Sequence, residues 1–141
     1  MTTFELSRRA VACKHWRWMP GMLALDSCNE EHPARVLDAR RSVVYEDNDG
    51  AIREGVVSRS DVPDLTDPAT VGCLLALVRE ACEPNRAPGD WPMVCTYQSQ
   101  AKKWGVGAWL NESGKSTFAA LVLPTYDTEA EALVAALEAA P

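Results

Sequence analysis

The clearest pattern in the chain lies between Asp67 and Pro84. Val71, Leu74, Leu75, Val78 and Cys82 stand at i, i+3, i+4, i+7 and i+11, the spacing of one apolar helical face. Asp67 suits an N-cap, because its carboxylate accepts from amides that the first turn leaves unpaired. Pro68 fits the first helical position, where a missing N–H loses nothing, and Pro84 stops the helix. Gly72 weakens the first turn slightly or admits a neighbouring segment. Two further stretches read as helices. Over residues 3–15, Phe4, Leu6, Ala10, Val11 and Cys13 form stripes at helical spacing, with Thr2 or Thr3 as N-cap and Pro20-Gly21 as the break. Near the C-terminus, "DTEAEALVAALEAA" shows Leu133, Val134 and Leu137 on one face. There Thr128, with Glu131 three residues on, makes a capping box.

Between the helices the pattern shortens to that of strands. "ARVLDA" and "SVVYED" are rich in Val and aromatic residues, and "AIREGVVS" returns as a third strand. Asp49-Gly50 suits a hairpin turn that needs positive φ. After the Pro-rich loop 83–92, "MVCTYQ", "WGVGAWL" and "TFAALVL" form a second trio. The predicted order is α-βββ-α-βββ-α. The class is α+β, a mainly antiparallel sheet of about six strands with three helices, in a single domain spanning 1–141.

Composition narrows the setting. No apolar run approaches the ~20 residues that cross a bilayer, and the N-terminus has no signal-like apolar segment, so a cytosolic protein is expected. Five cysteines without a CxxC pair argue against a disulfide framework. The net charge is −6. Residues 1–25 are net +3, residues 26–67 net −6 and residues 68–141 net −3. The acidic middle speaks against binding nucleic acid or anionic membrane directly and suits a basic partner. A merely solvated face is the plainer reading.

Candidate chemistry changes little. "WLNESGKSTF" ends like a P-loop, but Trp109 occupies the place of the first glycine and would obstruct a phosphate cradle. Its flanks are strand-like, so "NESG" (111–114) reads as a hairpin loop, with Lys115 near its tip. "WGVGAW" lacks the third glycine and acidic residue of a dinucleotide site, and its small residues more plainly relieve crowding in a sheet. Cys13, His15, Cys28 and His32 are zinc-type ligands at no standard spacing; free thiols and exposed histidines are the simpler account. No nucleophile–base signature accompanies the two histidines, and the acids on loops read as solvated, turn or cap residues. Hence no catalytic residue, metal or cofactor is assigned. Trp16 and Trp18 share a face in an extended segment and, with Met19 and Met22, suit either core or an interface.

Three segments, "WRWMPGMLALD", "VPDLTDPATVGCLLALVREA" and "TEAEALVAALEAA", together resemble a group of small tailed-phage and prophage proteins described as ABA-sandwich-like. The resemblance covers about a third of the chain by motif. It implies a phage setting and a fold type, and no activity. The charged meander 35–61 and "QSQAKKW" depart from that pattern. With it, the expectation is a non-enzymatic interaction domain that inhibits a host defence complex, as an anti-CRISPR protein does. Glu46, Asp47, Asp49, Glu54, Asp61 and Asp64 are then the expected contacts, standing where phosphates lie in a basic nucleic-acid channel. The alternatives are a small-molecule or nucleotide sponge, a weak hydrolase with a cryptic metal, and a phage accessory or structural protein with no inhibitory role.

Overall fold

A computed structural model describes residues 2–26, 33–47, 49–82, 94–112, 115–121 and 125–141. Among these lie three helices and eight strands: α1 (Thr3–Ala12), β1 (Leu23–Leu25), β2 (Ala34–Val36), β3 (Ser42–Glu46), β4 (Ile52–Val56), β5 (Val62–Pro63), α2 (Pro68–Cys82), β6 (Val94–Gln98), β7 (Trp104–Glu112), β8 (Lys115–Ala120) and α3 (Glu129–Ala139). The α+β class, the three helices and the antiparallel pairing are as the sequence predicts. The strands differ. They form two sheets, ordered β4-β3-β2-β1-β5 and β6-β7-β8, rather than one sheet of about six. The unpredicted strands β1 and β5 are three and two residues long, too short to show an alternation. The chain divides into two compact units, residues 1–12 with 16–73, and residues 13–15 with 74–141.

The first unit is built on the five-stranded sheet. Ala24, Val36, Val43 and Pro63 share one face of it and are buried. Helix α1 rests on β5, where the buried Ser7 hydroxyl donates to the Pro63 carbonyl at 2.7 Å. Thr2 is its N-cap: Glu5 N–H donates to Thr2 Oγ1 at 3.2 Å and Thr2 N–H to Glu5 Oε2 at 2.8 Å. The helix ends at Ala12, short of the expected residue 15.

The start of α2 is fixed by Asp67. Its Oδ2 accepts from Thr70 N–H and from the Thr70 hydroxyl, both at 2.8 Å. The Arg35 guanidinium of β2 grips both carboxylate oxygens at 3.0 and 3.3 Å, and donates to Gly21 O at 2.7 Å. Partial burial pushes the Asp67 carboxyl up, but the hydrogen bonds from Arg35 and Thr70 outweigh it and hold it below the usual range. Thr70 Oγ1 in turn accepts from Leu23 N–H of β1 at 2.8 Å. This explains a rotation of the helix face. The buried side is Thr70, Leu74, Leu77, Val78 and Ala81, while Val71, Leu75 and Cys82 are only half-buried. A count of apolar positions passes over Thr70, whose hydroxyl is satisfied twice and therefore tolerates burial.

In the second unit α3 packs on β6 and β7, and Val94, Val106 and Ala108 are buried with Leu133, Val134 and Leu137. The capping box of Thr128 and Glu131 is present. The other face of the sheet is aromatic. Phe118 meets Tyr97 and Trp109 edge-on, with centroids 5.2 and 5.3 Å apart. The rings lie down because Gly105 and Gly107 have no side chain: a Cβ would stand 2.6 Å from the Tyr97 ring or 2.2 Å from the Phe118 ring. The glycines of "WGVGAW" therefore relieve crowding. Strands β7 and β8 pair from Gly107↔Ala120 to Glu112↔Lys115. "WLNESGKSTF" is thus a hairpin, with Asn111 and Glu112 inside β7 rather than in a four-residue loop; Ser113 and Gly114 lie outside the described residues.

Candidate protein-binding site

Four of the six expected contact acids come together on the β3–β4 hairpin, and they divide by function. Asp47 shapes the turn. Its carboxylate accepts from Asp49 N–H at 3.0 Å, Ala51 N–H at 2.9 Å and Arg53 Nε at 2.7 Å. The turn needs a left-handed residue, and Gly50 supplies it with φ 76°. Glu46, Asp49 and Glu54 are exposed, and among the described residues no hydrogen bond or ion pair engages their carboxylates.

The pairing Val44↔Glu54 and Glu46↔Ile52 puts Glu46, Glu54, Ile52 and Val56 on one face. Ile52 is 67% and Val56 69% exposed. Glu46 and Glu54 are diagonal neighbours, ~7–8 Å apart by sheet geometry. Among the described residues β4 is an edge of its sheet, with a free row of backbone donors and acceptors. The hairpin therefore presents three unengaged carboxylates around two exposed aliphatic side chains, beside an open strand edge.

The other two acids do not join this surface. Asp61 Oδ2 accepts from Ser58 N–H at 2.7 Å. Asp64 Oδ1 accepts from Thr66 N–H at 2.9 Å and its hydroxyl at 2.6 Å. Asp64 follows β5 at the far edge of the sheet from β4, four strand spacings or ~19 Å away. The six acids are thus no single patch, because three of them are spent on turns of their own backbone.

On the opposite sheet face, Asp47 and Asp61 line a cleft of about 500 Å³ over Ala24, Ala34 and Gly55, joined by Asp26. Sequence reasoning did not select Asp26, since its place depends on the unpredicted strand β1. Among the described residues no group of three or more His, Cys, Asp or Glu is arranged to hold a metal. Of the zinc-type ligands considered, Cys28 and His32 lie outside the described residues, and His15 Nε2 is 2.8 Å from Pro141 O. Among the described residues no helix is long and apolar enough to cross a membrane. Comparison with family models, curated proteins and solved structures finds no match to this chain.

Proposed function

We propose that the chain is a non-enzymatic binding module for a basic protein surface, engaged through the open face of the β3–β4 hairpin. The observation that carries this reading is the pair Ile52 and Val56, exposed on an edge strand and framed by the unengaged Glu46, Asp49 and Glu54. Aliphatic groups supply contact area on desolvation, and the carboxylates steer and select a cationic partner. In its most concrete form the partner is a nucleic-acid-binding surface of a host defence complex, with the carboxylates standing where phosphates lie. The phage setting of that form rests on the resemblance of the three sequence segments.

The test is a triple reversal, Glu46→Lys, Asp49→Lys and Glu54→Lys, assayed by capture from host lysate and then by titration against the captured protein. These side chains are exposed, so the fold should persist, whereas reversing Asp47 would break the turn. Binding should weaken by at least ~2 kcal/mol, about thirtyfold. Val56→Asp should weaken it as well. Unchanged binding by both variants would refute the hairpin as the contact surface.

A further inference from the structure

We propose that the first unit also holds a site for a free nucleoside phosphate, in the cleft lined by Trp16, Trp18, Arg17, Arg41 and Arg59. The cleft measures about 620 Å³, within the range of small-ligand sites. It shares no residue with the hairpin face, so the two readings stand or fall separately. Three guanidinium-bearing residues line it against one carboxylate, Asp61, in a chain of net charge −6. Among the described residues, no hydrogen bond or ion pair engages the Arg41 or Arg59 side chain. These arginines come from the β2–β3 and β4–β5 connections, which only the sheet brings together.

Arg41 and Trp16 shape the cleft. Arg41 closes a turn in which its N–H donates to Asp38 O at 3.1 Å, with φ 67°. The turn ending at Lys102, with φ 57° and its N–H on Ser99 O at 2.9 Å, has the same geometry, so the turn places Arg41 at the cleft and says nothing of a ligand. Trp16 carries the argument for an occupant. Its indole packs edge-on against Trp18, with centroids 5.6 Å apart, and among the described residues its buried Nε1 has no acceptor. A buried donor without a partner is a standing penalty, which an acceptor on a bound molecule, met by a small turn of the indole, would remove. Guanidinium groups bind phosphate through paired N–H donors, and an indole face accepts a stacked base. Together they select a molecule that is both aromatic and anionic. A free nucleotide fits better than a strand, because the chain's net negative charge repels a long polyanion.

The test uses the whole chain, titrated by calorimetry and tryptophan quenching with the nucleoside monophosphates and diphosphates of the four ribonucleosides. Adenosine, inorganic phosphate and a ten-residue oligothymidylate serve as comparators. At least one nucleotide should bind with Kd below ~1 mM, and adenosine and phosphate at least ~10-fold more weakly. Arg41→Gly with Arg59→Ala should weaken nucleotide binding at least ~10-fold. Arg41→Gly relieves the left-handed backbone, so the thermal midpoint should not fall and lost binding will not be lost folding. The hairpin triple reversal should leave nucleotide affinity within ~3-fold, since it touches none of the lining residues. No nucleotide binding at ~1 mM, or equal affinity in the double variant, would overturn the site. Oligothymidylate binding more than ~10-fold tighter than any mononucleotide would overturn its assignment to a free nucleotide.

Discussion

Gly107→Ala tests the packing of the aromatic face most directly. The added methyl would stand 2.2 Å from Cζ of Phe118 and 2.9 Å from the Ala119 carbonyl oxygen. The ring can swing aside, but then it leaves Tyr97 and Trp109, two contacts worth ~0.5–1.5 kcal/mol each. The carbonyl cannot swing, because it belongs to the β7–β8 ladder; overpacking of that kind costs ~1–3 kcal/mol. Alanine recovers about 0.5–1 kcal/mol of backbone entropy relative to glycine. The net expectation is a loss of about 2–3 kcal/mol, or a thermal midpoint lower by about 5–10 °C. Urea unfolding followed by far- and near-ultraviolet circular dichroism measures it. Gly105→Ala is the internal control. Its nearest clashes are only with the Tyr97 ring, so its loss should be smaller, about 1 kcal/mol. Adding Phe118→Ala to Gly107→Ala should show a coupling of at least ~1 kcal/mol. If Gly107→Ala lies within ~0.5 kcal/mol of the parent, or is milder than Gly105→Ala, the steric account is wrong.

Other expectations follow from single groups. Asp67 has a lowered carboxyl pKa when folded, so its stabilisation is present above the unfolded value near ~3.9 and fades as pH falls through the folded value. Asp67→Asn should therefore be less stable at neutral pH and show a flatter loss below about pH 4, as read by urea titrations across pH. Thr128→Ala removes the capping box of α3 and should cost ~1 kcal/mol in thermal or urea unfolding. Lys115→Ala lies in strand β8 and not in a phosphate cradle, so nucleotide titration and thermal melts should match the parent; lost nucleotide binding there would restore the P-loop reading.

What could be read from the sequence was whatever a side chain does to its own neighbours in the chain. Thr128 with Glu131, the positive φ of Gly50 and the strand flanks of residues 113–114 are local signals, and they hold. The short strands β1 and β5 are not local. Leu23–Leu25 becomes a strand because β2 and β5 flank it, and no period shows in three residues. The buried face of α2 keeps Leu74 and Val78 but is rotated from the apolar spacing for a similar reason, since the burial of Thr70 depends on Leu23, 47 residues earlier. The candidate acids were legible as charges but not as roles. Only the turns show that Asp47, Asp61 and Asp64 are occupied while, among the described residues, Glu46, Asp49 and Glu54 are not. The cleft arginines are spread from position 17 to position 59, with no spacing to announce them.

Leu23 holds the stretch 64–70 at both ends. Its carbonyl accepts from Asp64 N–H at 2.8 Å, and its own N–H donates to Thr70 Oγ1. That stretch consequently has no slack. Lengthening or shortening it by one residue would strand either a strand-edge amide or the hydroxyl of Thr70, and would pull Asp67 away from Arg35. Insertions and deletions should be tolerated at the hairpin tip long before they are tolerated here, which makes 64–70 a poor place to graft a tag or open a new terminus.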